Sequence, residues 1–160
     1  MESLVATYKV SAVEGMEYFL RNFSHVPDER LDWSPTPTSK SAIRIAAHTA
    51  VTNGNFAKML RERKLPGREE IPDHVARTEA AELAVTSRVE MEVLFRKNTA
   101  EVLAALDTLT SDELELSLDS GLGWSMPMTR LMGLAGWHST LHAGQIDYLQ
   151  TCWGDQQIYF

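Results

Sequence analysis

Disulfides, membrane spans and a basic face are all missing from this sequence, and each absence removes a class of protein. Cys152 is the only cysteine, so no intramolecular disulfide can form and nothing calls for an oxidising compartment. Flanked by apolar residues near one end of the chain, it reads as a small core side chain rather than a catalytic thiol. No stretch approaches the roughly 18 apolar residues of a membrane span, and Met1-Glu2-Ser3-Leu4-Val5 lacks the basic flank and apolar core of a signal peptide. A cytoplasmic protein with no membrane partner is the expectation. The 15 Lys and Arg are outnumbered by 22 Asp and Glu, for a formal charge of −7, which excludes a general affinity for nucleic acid because phosphate binding needs clustered cations. The one local basic run, Lys58-Met59-Leu60-Arg61-Glu62-Arg63-Lys64, suits the negative end of a helix macrodipole. Also missing are a G-x-S-x-G elbow, a phosphate-binding glycine loop and a cysteine-rich zinc pattern.

What remains is an ordinary globular composition, 44% hydrophobic and 23% charged, on 160 residues, which suits one domain covering 1–160. Apolar residues at Leu4, Tyr8, Ala12, Gly15, Phe19 and Phe23 predict a first helix from about Glu2 to Phe23. Pro27, Pro35 and Pro37 break the pattern over Ser24 to Thr38, where Leu31 and Trp33 look like anchors folding the loop back. Ser39 is the candidate cap of a second helix running to about Lys64, with Ile45, His48, Thr52, Phe56, Met59 and Leu60 on its inward stripe. Pro66, Gly67 and Pro72 mark an irregular segment to about Arg77. Thr78 then caps a third helix whose face includes Val85, Met91, Leu94, Phe95, Asn98, Val102, Ala105 and Leu106.

Beyond Asp107, Thr110-Ser111-Asp112-Glu113 has the form of a capping box for a short helix, and Gly121 and Gly123 bracket a turn. Pro127 fits the first turn of a fourth helix, about Pro127 to Trp153, with Leu131, Leu134, His138, Leu141, His142, Gln145, Leu149 and Cys152 on one seam. No strand alternation competes, so the fold class is all-α with four long helices. The 14-residue connection from Lys64 to Arg77 reaches roughly 46 Å when extended, against roughly 37 Å for a 25-residue helix, so it can leave its two helices parallel.

The chemistry concentrates in histidine. His25 and His74 fall in predicted loops, whereas His48, His138 and His142 lie on predicted buried faces. His138 and His142 are four apart, so on a helix their rings reach one ion, and His48 faces them from the second helix. Burying three unpartnered imidazoles would cost several kcal/mol, and a shared divalent metal removes that cost. Three nitrogens leave a coordination position open for water or substrate, as in a catalytic rather than a closed structural site. Gln145, one turn on, either orients a ligand or bound water or simply caps the seam. Ser139 points about 100° away from His138 and makes no nucleophile pair with it. Met126, Met128 and Met132 read as core filler.

Trp33-Ser34-Pro35, the inward His48 of Ile45-Ala46-Ala47-His48, and His138-Ser139-Thr140-Leu141-His142-Ala143-Gly144-Gln145 together resemble the DinB-like (damage-inducible) superfamily. The likeness spans nearly the whole chain, to the closing Trp153-Gly154-Asp155. It implies a four-helix bundle of up-down-down-up connectivity, commonly a homodimer, carrying a divalent metal, zinc or nickel most often, on His48, His138 and His142. It also implies kinship with transferases and isomerases that use a low-molecular-weight thiol, mycothiol or bacillithiol. Where relatives often carry an arginine after the Gly-Gln pair, this chain has Tyr148-Leu149-Gln150-Thr151.

Two functions follow as expectations: a metal-dependent hydrolase or thiol-dependent S-transferase acting on a small molecule, or a non-catalytic stress-related or interaction module with a structural metal. Three metal-free core histidines are the third possibility. The sequence singles out no carboxylate as general base, and three imidazoles suit zinc, nickel, copper or iron about equally.

Overall fold

The computed structural model describes residues 2–159. Five α-helices form: α1 (Glu2–Ser24), α2 (Ala42–Glu62), α3 (Ile71–Ala84), α4 (Arg88–Asp107) and α5 (Met128–Cys152). Single 3₁₀ turns occupy Asp28–Arg30 and Asp112–Glu115, and two short strands, β1 (Ser117–Asp119) and β2 (Ser125–Pro127), pair antiparallel with Leu118 opposite Met126. The all-α expectation holds, with that hairpin as a correction: three residues per strand are too few to write an alternation into the sequence. Its turn is where expected, Gly121 and Gly123 adopting φ of +66° and +87°, which glycine alone takes without strain.

The long helices α1, α2, α4 and α5 share two apolar clusters. One gathers Phe19, Phe23, Ile43, Met91, Phe95 and Ile146, with Leu31 and Trp33 packed onto it as the sequence suggested. The other gathers Ala57, Leu60, Val102, Leu106, Leu131 and Met132. Along α1 and α5, Tyr8 lies against Gly133 and Asn22 accepts at its carbonyl from Gln150 Nε2, 2.9 Å away. Between these contacts the two backbones nearly touch, since a Cβ built on Gly15 would meet the Gly136 carbonyl oxygen at 2.6 Å. Two small residues therefore set the depth at which α5 sits.

The third predicted helix is two. Residues 71–84 form α3, and Pro72, taken as a breaker, sits in its first turn, where a missing N–H is harmless. Thr78 lies inside α3 and caps nothing. The true start of α4 is Ser87, whose Oγ accepts from Glu90 N while Glu90 Oε2 accepts from Ser87 N, a complete capping box. The cap of α2 is Ser41, not Ser39. Pro127 ends β2 and precedes α5 rather than entering it. Of the Thr110 to Glu113 box one arm forms, Thr110 N donating to Glu113 Oε2 over a 3₁₀ turn.

The predicted seams are rotated. On α2 the fully buried side is Ala46, Ala50, Ala57 and Leu60, and His48, Phe56 and Met59 lie at its edge. On α5 it is Met128, Leu131, Met132, Ala135, Ala143 and Ile146, leaving Leu141, Gln145 and Cys152 exposed. On α2, small side chains permit the closest helix approach, so the alanines, and not the larger stripe of His48, Phe56 and Met59, occupy the centre. Cys152 is accordingly no core residue. Among the described residues, no helix is long and apolar enough to cross a membrane.

Candidate metal centre

The histidine edges of α2 and α5 face each other. His48 lies with its ring centroid 5.2 Å from that of His138 and 5.0 Å from that of His142, while the two α5 rings are 4.3 Å apart. One ligating nitrogen from each lies within 4.8 Å of the others. His138 is buried, its ring meeting Phe56 edge-on, and the other two are half-buried. The helical spacing of His138 and His142 on α5 delivers two of the three rings. The docking of α2 on α5 delivers the third.

Hydrogen bonds fix which nitrogens face inward. His142 Nδ1 donates to Gln145 Oε1 at 2.7 Å, because an amide oxygen only accepts, which leaves Nε2 as the inward lone pair of the neutral ring. His48 Nδ1 donates to Glu82 Oε1 at 2.7 Å on the same logic. Inside, His142 Nε2 lies 3.0 Å from His138 Nε2, and His138 Nδ1 is buried without a partner. If His138 carries its hydrogen on Nε2, its Nδ1 lone pair is buried bare; if on Nδ1, two lone pairs confront each other at 3.0 Å. A divalent cation between the inward nitrogens removes the clash of lone pairs and sets the His138 hydrogen on Nδ1, where it stays buried without an acceptor among the described residues. Two imidazole ligands at 2.0–2.1 Å from one ion stand roughly 3.3 Å apart, so the 3.0 Å separation of the α5 pair suits a shared ion, and a ligating nitrogen of His48 lies within 4.8 Å of both. The donor set is the nitrogen set that zinc, nickel and copper accept.

Electrostatics favour cation binding. Burial, reinforced by His142 and His48, pushes the His138 pKa down to about 3, so its ring is neutral and free to ligate at neutral pH. Burial also lowers His142, with Gln145 opposing. Glu82 is the group that sequence reading missed. It is 8% exposed and the only buried residue of α3. Burial raises its pKa, but hydrogen bonds from His48 and from Lys40 Nζ, at 3.0 Å to Oε2, outweigh it and keep the carboxyl ionised. Arg44 of α2 donates to the carbonyls of Glu82 and Val85, gripping the last turn of α3 and holding Glu82 against His48. A glutamate between Ala81 and Leu83 on a short helix carries no local mark of this role.

The remaining candidates fall outside the site. The His25 ring stacks on Tyr159 at 3.6 Å, His74 lies two turns before Glu82 on α3, and Ser139 Oγ donates to the Ala135 carbonyl. Asn98 Nδ2 donates to the Ala50 carbonyl, tying α4 to α2. A groove of about 400 Å³, lined by none of the three histidines, runs between Ile45, Leu141, Tyr148 and Leu149, with Ser39, Lys40 and Gln145 among its polar groups. Two residues of the ligand cluster's hydrogen-bonded surround thus line a space of small-molecule size.

The fold and the three facing histidines define a class of helical protein able to hold a metal ion at an open site. The sequence profile of the DinB superfamily matches residues 13–146, and the chain belongs to that superfamily. Its structure is similar to that of a DinB-like protein from Bacillus subtilis, YjoA, with a TM-score of 0.67 at 19% identity over 96% of each chain. Comparison with curated proteins finds no match.

Proposed function

We propose that this protein is a cytoplasmic, divalent-metal-dependent enzyme, of hydrolase or thiol-dependent S-transferase type, with His48, His138 and His142 as ligands and zinc or nickel as the ion. The observation that carries the reading is the inward convergence of three imidazoles, with the outer nitrogens of two held by Glu82 and Gln145. When bound, such an ion supplies Lewis acidity that draws the pKa of a water or thiol toward neutrality.

The chain's own residues do the rest. Glu82 and Gln145 hold the inward tautomers of His48 and His142, and Lys40 sits at the rim where it can meet an anionic group. The apolar walls of the groove exclude water and seat a small substrate. A metal of structural role alone is the competing reading, and a substrate-sized groove lined by Gln145, the partner of His142, weighs against it. The up-down-down-up bundle belongs to the same reading. Supporting it, Tyr8 pairs with Gly133 and Asn22 with Gln150 in the same order along α1 and α5, whereas Lys9 pairs with Asp107 and Glu17 with Arg96 in opposite order along α1 and α4.

Elemental analysis of purified protein should find about one metal per three-histidine site, lost in His142→Ala. A panel of esters, amides and thiol-acceptor pairs should show turnover that chelation abolishes and metal restores. Unchanged metal content in the variant overturns the site. Full metal occupancy with loss of thermal stability on chelation, and no turnover on the panel, favours the structural role.

A further inference from the structure

A second cavity lies between α2 and α3, away from the histidines. It is a half-open cavity of about 210 Å³, room for a small ion with a few waters. Val51 and Ala81 form its apolar wall, and the rest is Asn55 and Lys58 from α2 with His74, Arg77 and Thr78 from α3. The last three stand at i, i+3 and i+4, hence on one face of the helix.

This lining offers hydrogens and cations and contains no carboxylate. Asn55 Nδ2 donates to Thr78 Oγ1 at 3.1 Å, and the Thr78 hydroxyl hydrogen itself has no acceptor among the described residues. Arg77 and His74 make no side-chain hydrogen bond or ion pair among the described residues. Lys58 reaches only Glu62, 3.9 Å away in an exposed pair of little strength. Asn55, Lys58, His74 and Arg77 also line an adjoining hollow with the acids Glu62, Glu69, Glu70 and Asp73, of which Glu70 is turned to Lys64 Nζ and Gly67 N. In a chain of net charge −7, Lys58 and Arg77 bring two cations to one cavity whose own lining, with the His74 ring and the Thr78 hydroxyl, carries no carboxylate. Burial, and then the charges of Arg77 and Lys58, lower the His74 pKa and keep its ring neutral.

We propose that this cavity binds a small oxyanion of phosphate type, with the Arg77 guanidinium and Lys58 ammonium holding its charge and the Thr78 hydroxyl and His74 ring N–H donating to its oxygens. Such a ligand bridges α2 and α3. Because α3 buries only Glu82 and is otherwise held by polar links, the bridge adds to the docking of that helix.

The test is calorimetric titration of the full chain with inorganic phosphate, and in a separate arm with glycerol phosphate, at constant ionic strength set by chloride. Saturable binding in either arm, with a raised Tm, is the expected result, and the tighter arm identifies a free ion or a phosphomonoester as the source. Arg77→Gln should weaken binding by about tenfold or more, the scale of a charge-assisted hydrogen bond, while its ligand-free Tm stays near wild type because the side chain has no contact to lose. His142→Ala should bind as wild type does. Equal affinity in Arg77→Gln and wild type overturns the proposal, as does an anion response no larger than that to chloride. Binding lost in His142→Ala but kept in Arg77→Gln also overturns it, by placing the anion at the histidines.

Discussion

Glu82 offers the sharpest test of how the histidine cluster is held. Its carboxylate accepts from His48 Nδ1 at 2.7 Å and from Lys40 Nζ at 3.0 Å, and Glu82 is 8% exposed. Replacing it with alanine frees the His48 ring to turn and to place its hydrogen on the inward nitrogen, which then cannot ligate. Loss of such an outer acceptor costs about 10- to 100-fold in metal affinity, or about 1.4 to 2.7 kcal/mol. Glu82→Gln keeps an oxygen that can accept from Nδ1 but removes the charge, so its affinity should fall between wild type and Glu82→Ala. Competition of each apo-protein against a chromophoric chelator measures the order directly.

The overall fold should survive both substitutions, because neither apolar cluster contains a residue of α3. Far-ultraviolet circular dichroism checks this. Metal affinity in Glu82→Ala within about twofold of wild type would refute the reasoning, because it would mean that His48 is oriented by packing alone.

Three further predictions concern stability. Gly136→Ala places a Cβ 2.5 Å from the Ser11 carbonyl oxygen, a backbone atom that cannot swing aside. Overpacking of this kind costs about 1–3 kcal/mol, a Tm fall of about 2–4 °C per kcal/mol at this chain length, and an unchanged Tm contradicts the close approach of α1 and α5. In metal-free protein, the native His138 titrates at about 3 and the unfolded one near 6.5, so between those values the unfolded state binds the extra proton. Stability therefore rises with pH across that window, by about 1.4 kcal/mol per unit for a full proton's difference, and levels off above it. Denaturant midpoints from pH 4 to 7 should show this slope reduced in His138→Gln; equal slopes refute the assignment. Glu113, held down to about 2 chiefly by Arg63, adds stability above the usual glutamate range that is lost as pH falls toward 2.

The parts of the site that were legible in the sequence are those that depend on one helix. His138 and His142 are four residues apart, and Gln145 is three beyond, so any α-helix through them places all three together, and the Nδ1 to Oε1 contact follows. His48 could be proposed as their partner because it lay on an apolar stripe, and the facing edges of α2 and α5 bear out that juxtaposition. The stripe itself was misread. Hydrophobic periodicity weights large residues, and it therefore gave Phe56 and Met59 the centre that Ala46, Ala50 and Ala57 occupy. Two local signals were present and passed over: Pro72 as the start of α3, and Ser87 with Glu90 as the box that opens α4.

By itself, then, the sequence determined an all-α chain, the inward spacing of two histidines and a third on another helix, since these rest on the 3.6-residue repeat and on local chemistry. Only the tertiary structure decided that Glu82 stands behind His48, that Cys152 faces solvent, and that Lys58, His74 and Arg77 surround one cavity. Each of these depends on the angle and depth at which one helix docks on another. Those are settled by contacts such as Gly15 on Gly136 and Arg44 on the end of α3, between residues far apart in the chain.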